Sequence, residues 1–150
     1  MRPIAIVIPW FGAELTGGAE RQAFELAVRL ISRRHQVEVL TTCCRSFEDD
    51  WATNYYPPGE SSERGLTVRR FRVDARNDKS FAELNHQLLA SDPTALRPGV
   101  SPLSPAQSQV FVDENINSRE LLDYLRERAD DYHVFIFLRI STVSQVASPP

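Results

Sequence analysis

The sequence is poor in the residues and motifs that most often reveal a function. It has two cysteines, Cys43 and Cys44, and because they are adjacent they offer neither a disulfide framework nor a zinc-ligand pattern. No segment approaches the ~20 consecutive apolar residues that cross a bilayer, and the first residues lack the long apolar core and cleavage site of a signal peptide. We therefore expect a soluble, cytoplasmic protein whose two thiols are small buried side chains.

Two common nucleotide-binding motifs are also missing. The first strand–helix loop has no G-x-G-x-x-G, which argues against a dinucleotide site, and no G-x-x-x-x-G-K-[ST], which argues against a P-loop NTPase. The 17 basic and 20 acidic residues give a formal charge of -3, and this near balance gives no general argument for nucleic acid or an acidic membrane as a partner. We predict no nucleic-acid partner. No ligand spacing indicates a metal, and we predict no bound cofactor.

Short apolar runs alternate with a helical pattern along the chain. Pro3–Pro9 and His133–Leu138 are continuous runs rich in Ile, Val and Phe, as is typical of strands buried on both faces. Gln36–Thr42 and Leu66–Val73 predict two more strands, and the slipped alternation of the latter indicates a bulge or an edge position. Gly17–Arg34 predicts a helix. We therefore predict an α/β fold, a Rossmann-like three-layer α/β/α domain with a mainly parallel sheet.

The helix over Gly17–Arg34 has an apolar stripe made of Ala19, Ala23, Leu26, Ala27, Leu30 and Ile31. Ser46–Arg64 is polar and is predicted to be irregular, Phe81–Ala90 to be a short helix, and Ser91–Pro105 to be a loop. The helical pattern returns over Val110–Tyr132, with a buried stripe made of Leu122, Leu125, Ala129 and Tyr132. Asn117 and Glu120 resemble a capping box, at which we expect a helix to restart.

These elements predict one domain over residues 1–138 and an irregular tail over residues 139–150. The tail reads RISTVSQVASPP and carries no helical or strand pattern. A doubly wound sheet is expected to continue with another helix after the strand at His133–Leu138. We therefore expect the chain to stop in the middle of its own fold.

The most informative segment is Pro9–Arg21, which joins the first strand to the first helix. Ligands of open α/β sheets bind at the carboxyl ends of strands, where this loop lies. Thr16, Gly17 and Gly18 fall at the expected helix N-terminus, whose free N–H groups and dipole favour an anion. Two glycines also allow a ligand to approach the backbone, although a tight turn alone explains them equally simply.

The stretch IAIVIPWFGAELTGGAERQAFELAVRLISRRHQVEVLTT resembles the opening of retaining glycosyltransferases of family 4, which have the GT-B fold. The similar parts are the apolar strand, the Gly17–Gly18–Ala19–Glu20 motif, the amphipathic helix, and Arg33–Arg34–His35 before the second strand. Arg34 stands where the family usually has glycine, a departure of small cost unless the residue needs positive φ. The later DYHVFIFL resembles a further strand of the family's N-terminal domain.

The resemblance implies that this chain is one half of a GT-B architecture, the N-terminal, acceptor-side half. Family members transfer a sugar from a nucleoside-diphosphate sugar to an acceptor hydroxyl with retention, and their second domain grips the donor. The resemblance places the donor phosphates at Thr16, Gly17 and Gly18, and the acceptor near Trp10, Glu14 and Glu20. It assigns no catalytic residue to this chain, which we expect to be inactive without a donor-binding domain.

Several residues of the sequence can be interpreted in two ways. Trp10 can stack on a sugar ring or pack in the core. Trp51, Tyr55 and Tyr56 can form an acceptor-side flap or a satellite core. A basic stretch either protects a strand edge or faces a phosphorylated acceptor or the acidic lipid of a peripheral membrane contact; it comprises Arg64, Arg69, Arg70, Arg72, Arg76 and Lys79. The alternative to a transferase domain is a non-enzymatic binding module or truncated fragment that self-associates through an incomplete sheet.

Overall fold

The computed structural model describes residues 2–14, 17–95 and 98–138, so Thr16 and the expected tail over residues 139–150 lie outside the described residues. The chain divides into two compact units. Among the described residues, the first unit contains those up to Asp74 together with 118–138, and the second contains Ala75–Asn117.

The first unit is built on a five-stranded sheet. Its strands are β1 (Ile4–Val7), β2 (Val37–Thr42), β3 (Gly59–Glu63), β4 (Leu66–Phe71) and β5 (Val134–Phe137), in the order β3-β4-β2-β1-β5. β1 pairs in parallel with both β2 and β5, β2 pairs in parallel with β4, and β3 pairs antiparallel with β4. The predicted α/β class with a mainly parallel sheet is confirmed.

Alternate residues of the strands form two apolar clusters in the first unit. The helices of the chain are α1 (Gly18–Ser32), α2 (Asp78–Leu89), α3 (Pro105–Asp113) and α4 (Arg119–Glu127). One cluster joins α1 to Ile6, Ile8, Val39 and Val68 through Ala23 and Ala27. The other holds Ala5, Val7, Leu40, Phe71 and Tyr132, against which Leu121, Tyr124 and Leu125 of α4 pack. Ile31, predicted to belong to the stripe of α1, is instead 43% exposed.

β3 lies at the end of the segment that the sequence predicts to be irregular, Ser46–Arg64, and for the residues of β3 that prediction is wrong. Its residues, GESSE, are almost all exposed and carry no apolar alternation. The strand forms because Arg64 and Gly65 both have positive φ, 52° and 81°, which is the backbone of a two-residue type I′ hairpin turn. The turn folds β3 back onto β4. Backbone pairing with β4, rather than burial of apolar side chains, therefore makes these residues a strand.

β4 is neither an edge strand nor bulged, which corrects both sequence-based explanations of its slipped alternation. β2 and β3 flank it, and its pairing with each is continuous. The alternation appears to slip only because Arg70 is buried on the same side as Leu66 and Val68. The protection of a strand edge is therefore not the role of these arginines.

The arginines of this stretch bind neighbouring groups instead. Arg69 binds Glu38 and Glu60, Arg72 binds Glu120, and Arg76 donates to the Glu114 carbonyl. The contacts of Arg64 and Arg70 belong to the candidate site. A run of basic residues in sequence is thus largely paired with carboxylates and carbonyls in the structure.

The helical pattern over Val110–Tyr132 forms two helices, in line with the expected restart near Asn117, but the second begins one residue later. α4 begins after Ser118, whose hydroxyl accepts the Leu121 N–H at 3.1 Å, so Ser118 is the N-cap and not Asn117. Of the predicted buried stripe, Leu125 and Tyr132 do pack in the second cluster, whereas Leu122 is 46% exposed and Ala129 is exposed. Leu121 and Tyr124 complete the buried face.

The second unit is a helical insertion between β4 and α4. α2 and α3 pack through stacked rings of Phe81 and Phe111, whose centroids are 4.9 Å apart. α2 is capped by Asn77, whose side chain accepts the Ser80 N–H. Among the described residues, no helix is long and apolar enough to span a membrane.

The C-terminal end of α1 has an unusual backbone. Arg34 has φ of 66°, the left-handed region that glycine adopts readily and residues with a Cβ adopt at a cost. The Arg34 N–H donates to Ile31 O at 2.8 Å and the His35 N–H donates to Leu30 O at 3.1 Å, so the terminal turn depends on this conformation.

We predict that Arg34→Gly raises the free energy of unfolding by roughly 0.5–1 kcal/mol, because it removes the cost of placing a Cβ at positive φ. Urea denaturation measures the change. Arg33→Gly is the matched control, since Arg33 has φ of -91° and gains nothing from glycine. An Arg34→Gly protein no more stable than Arg33→Gly would contradict the strain at Arg34.

Candidate functional site in the loop between β1 and α1

The loop from Ile8 to Gly17 leaves the carboxyl end of β1 and leads into α1. Its first part is tied to β2, because Pro9 O accepts hydrogen bonds from the Thr42 N–H at 3.2 Å and the Thr42 hydroxyl at 2.6 Å. The carboxyl ends of β1 and β2 therefore meet at this loop, which is where ligands of parallel sheets bind.

Two arginines of the β3–β4 hairpin hold the next part of the loop. Arg70 is only 3% exposed, and its Nη2 donates to Phe11 O at 3.0 Å. Its charge is further matched by Glu63 Oε1 at 3.3 Å, and its guanidinium lies 4.3 Å from the centroid of the Tyr56 ring. Arg64 Nε donates to Ala13 O at 2.6 Å from the hairpin turn. The unpredicted hairpin thus fixes the loop.

Glu20 holds the loop from the side of α1. This first-turn carboxylate is 1% exposed and accepts the Gly17 N–H at 2.8 Å and the Gly12 N–H at 3.3 Å. Gly17 is the N-cap of α1, but it has no side chain that could accept a hydrogen bond from the helix. Only half of a capping box is therefore present, in which the Glu20 carboxylate accepts the Gly17 N–H. A protein carboxylate therefore takes up donors that a phosphate would otherwise bind.

A cavity of about 390 Å³ lies beside the loop in the first unit. It is lined by Gly12, Ala13, Glu14, Glu20, Arg45, Ser46, Glu48, Tyr55 and Tyr56. The lining includes three glutamates and one arginine, and Arg45 already makes a bidentate pair with Asp49 at 2.6 and 2.9 Å. The cavity therefore has an excess of hydrogen-bond acceptors and negative charge.

The residues that the resemblance selects are not all brought together. Glu14 and Glu20 line the cavity, Glu14 exposed and Glu20 buried. Gly17 and Gly18 stand at the start of α1, and a Cβ added at Gly18 would meet no atom within 4 Å, so space for a ligand is present there.

Trp10 packs in the core, which is one of the two roles that the sequence allows for it. It is 3% exposed and sits in an aromatic cluster with Phe47 and Trp51, at ring-centroid distances of 5.6 to 5.8 Å. Trp51, which the sequence groups with the two tyrosines, belongs to this satellite core, whereas Tyr55 and Tyr56 line the cavity.

Both cysteines are buried just beyond β2, and both are free thiols. Burial raises the pKa of Cys43, and it raises the pKa of Cys44 to about 11. At neutral pH both are therefore neutral packing groups and poor nucleophiles. The part of the chain that the structure describes has no cluster of histidine, cysteine and acidic residues that could hold a metal ion.

Sequence reasoning missed Arg45, Ser46 and Glu48. They follow β2 by a few residues, and neighbouring parallel strands end at the same edge of a sheet, so their position carried a usable signal. The sequence predicts only a polar, irregular connection here, because nothing in the local sequence distinguishes a loop that lines a cavity from a loop that is exposed to solvent.

We predict that Glu20→Gln lowers the free energy of unfolding by roughly 1–3 kcal/mol, because the amide offers one acceptor oxygen to donors that the carboxylate satisfies with two. Glu25→Gln on the same helix is the control. Its side chain is 57% exposed, and its carboxylate lies 4.0 Å from the Arg29 guanidinium, the outer limit of an ion pair. Loss of its charge therefore changes the free energy of unfolding by less than about 0.5 kcal/mol. Equal effects of the two substitutions in urea denaturation would show that Glu20 does not hold the loop.

Comparison with protein-family models, with curated proteins and with solved structures found no match to this chain.

Proposed function

We propose that this chain is the acceptor-side domain of a retaining GT-B glycosyltransferase, which transfers a sugar from a nucleoside-diphosphate sugar to an acceptor hydroxyl. The observation that carries the proposal is the loop between β1 and α1. It lies at the carboxyl edge of a mainly parallel sheet, its carbonyls and N–H groups are fixed by Thr42, Arg70, Arg64 and Glu20, and it ends at the open backbone of Gly18.

The two apolar clusters support the three-layer α/β/α arrangement that a GT-B half requires. Residues that alternate along a strand point to opposite sides, so Ile6 with α1 and Ala5 with α4 use opposite faces of β1. The sequence resemblance over residues 4–42 is the second support, since it places the Gly-Gly motif at this same loop.

Under this proposal the loop residues have separate roles. Gly18 gives the donor diphosphate access to the N-terminus of α1, and Glu14 accepts a hydrogen bond from an acceptor hydroxyl. Glu20 shapes the loop by holding Gly12 and Gly17. Transfer then depends on positioning and electrostatic support shared between two domains, so we expect negligible transfer by the isolated, cytoplasmic chain.

The test is diphosphate binding by variants of Gly18, measured by NMR chemical shifts with UDP, GDP and their glucose and mannose conjugates. Gly18→Asp keeps the fold, because its side chain meets open space and suits the helix dipole, but it repels phosphate. We expect it to weaken binding at least tenfold. Val28→Asp, an equal change of charge at an exposed site on α1, should leave binding unchanged. Diphosphate binding that Gly18→Asp leaves as tight as in the wild type would overturn the proposal.

A second candidate, a binding module that self-associates, is favoured by β5. β5 pairs with β1 on one side, and in the described part of the chain no strand pairs with its other side. Val134 and Phe137 are 43% and 64% exposed, and the strand VFIF carries no charge that would discourage pairing with another chain.

If self-association is the function, the protein dimerises with rising concentration and Phe137→Lys makes it monomeric, because a charged edge strand resists pairing. Light scattering after size exclusion measures the mass. Val112→Lys, at a 60% exposed valine of α3, is the matched control and should leave the mass unchanged. A wild-type protein that remains monomeric at all concentrations would exclude this candidate.

A further inference from the structure

We draw no further inference here: the strongest candidate, a second cavity of about 440 Å³ beside the first residues of β2, is lined by charged side chains that already bind one another, Arg69 with Glu38 and Glu60, and nothing in the described part of the chain shows what ligand it would take.

Discussion

The shape of the loop between β1 and α1 depends on two charged side chains that are almost withdrawn from water. Glu20 and Arg70 are 1% and 3% exposed, and a buried charge is tolerated only when hydrogen bonds replace its hydration. Glu20 obtains them from two N–H groups of the loop, and Arg70 from the Phe11 carbonyl, Ser61 and Glu63. The loop and the two charges therefore stabilise each other, and removing either charge leaves buried polar groups unsatisfied.

The dependence of the loop on contacts between residues far apart in the chain explains which parts of the fold and of the site the sequence could predict. β1, β2 and α1 follow from local apolar patterns, and the position of the loop follows from their order. β3 follows from no pattern of its own, because GESSE becomes a strand only through the Arg64–Gly65 turn and the presence of β4. Arg70 was likewise assigned to a surface patch, since a sequence gives no sign that a loop carbonyl will cover a guanidinium.

The helix termini show the same division between local and tertiary information. Arg34 stands where the resemblance leads us to expect glycine, and the sequence predicts a cost only if this residue has positive φ. Its φ of 66° meets that condition. The sequence predicts Asn117 as the cap of α4, although the next residue, Ser118, is of an equally good capping type. In the structure the Ser118 hydroxyl accepts the Leu121 N–H at 3.1 Å, and this hydrogen bond makes Ser118 the cap.

The charge of the cavity also limits how a transferase could be assembled around this unit. A nucleoside diphosphate needs positive charge or free N–H donors, yet the lining that the structure describes has three carboxylates and one arginine already paired with Asp49. Glu20 takes two of the loop N–H groups as well. If the proposed function is correct, the cations that neutralise the diphosphate must come from outside this cavity.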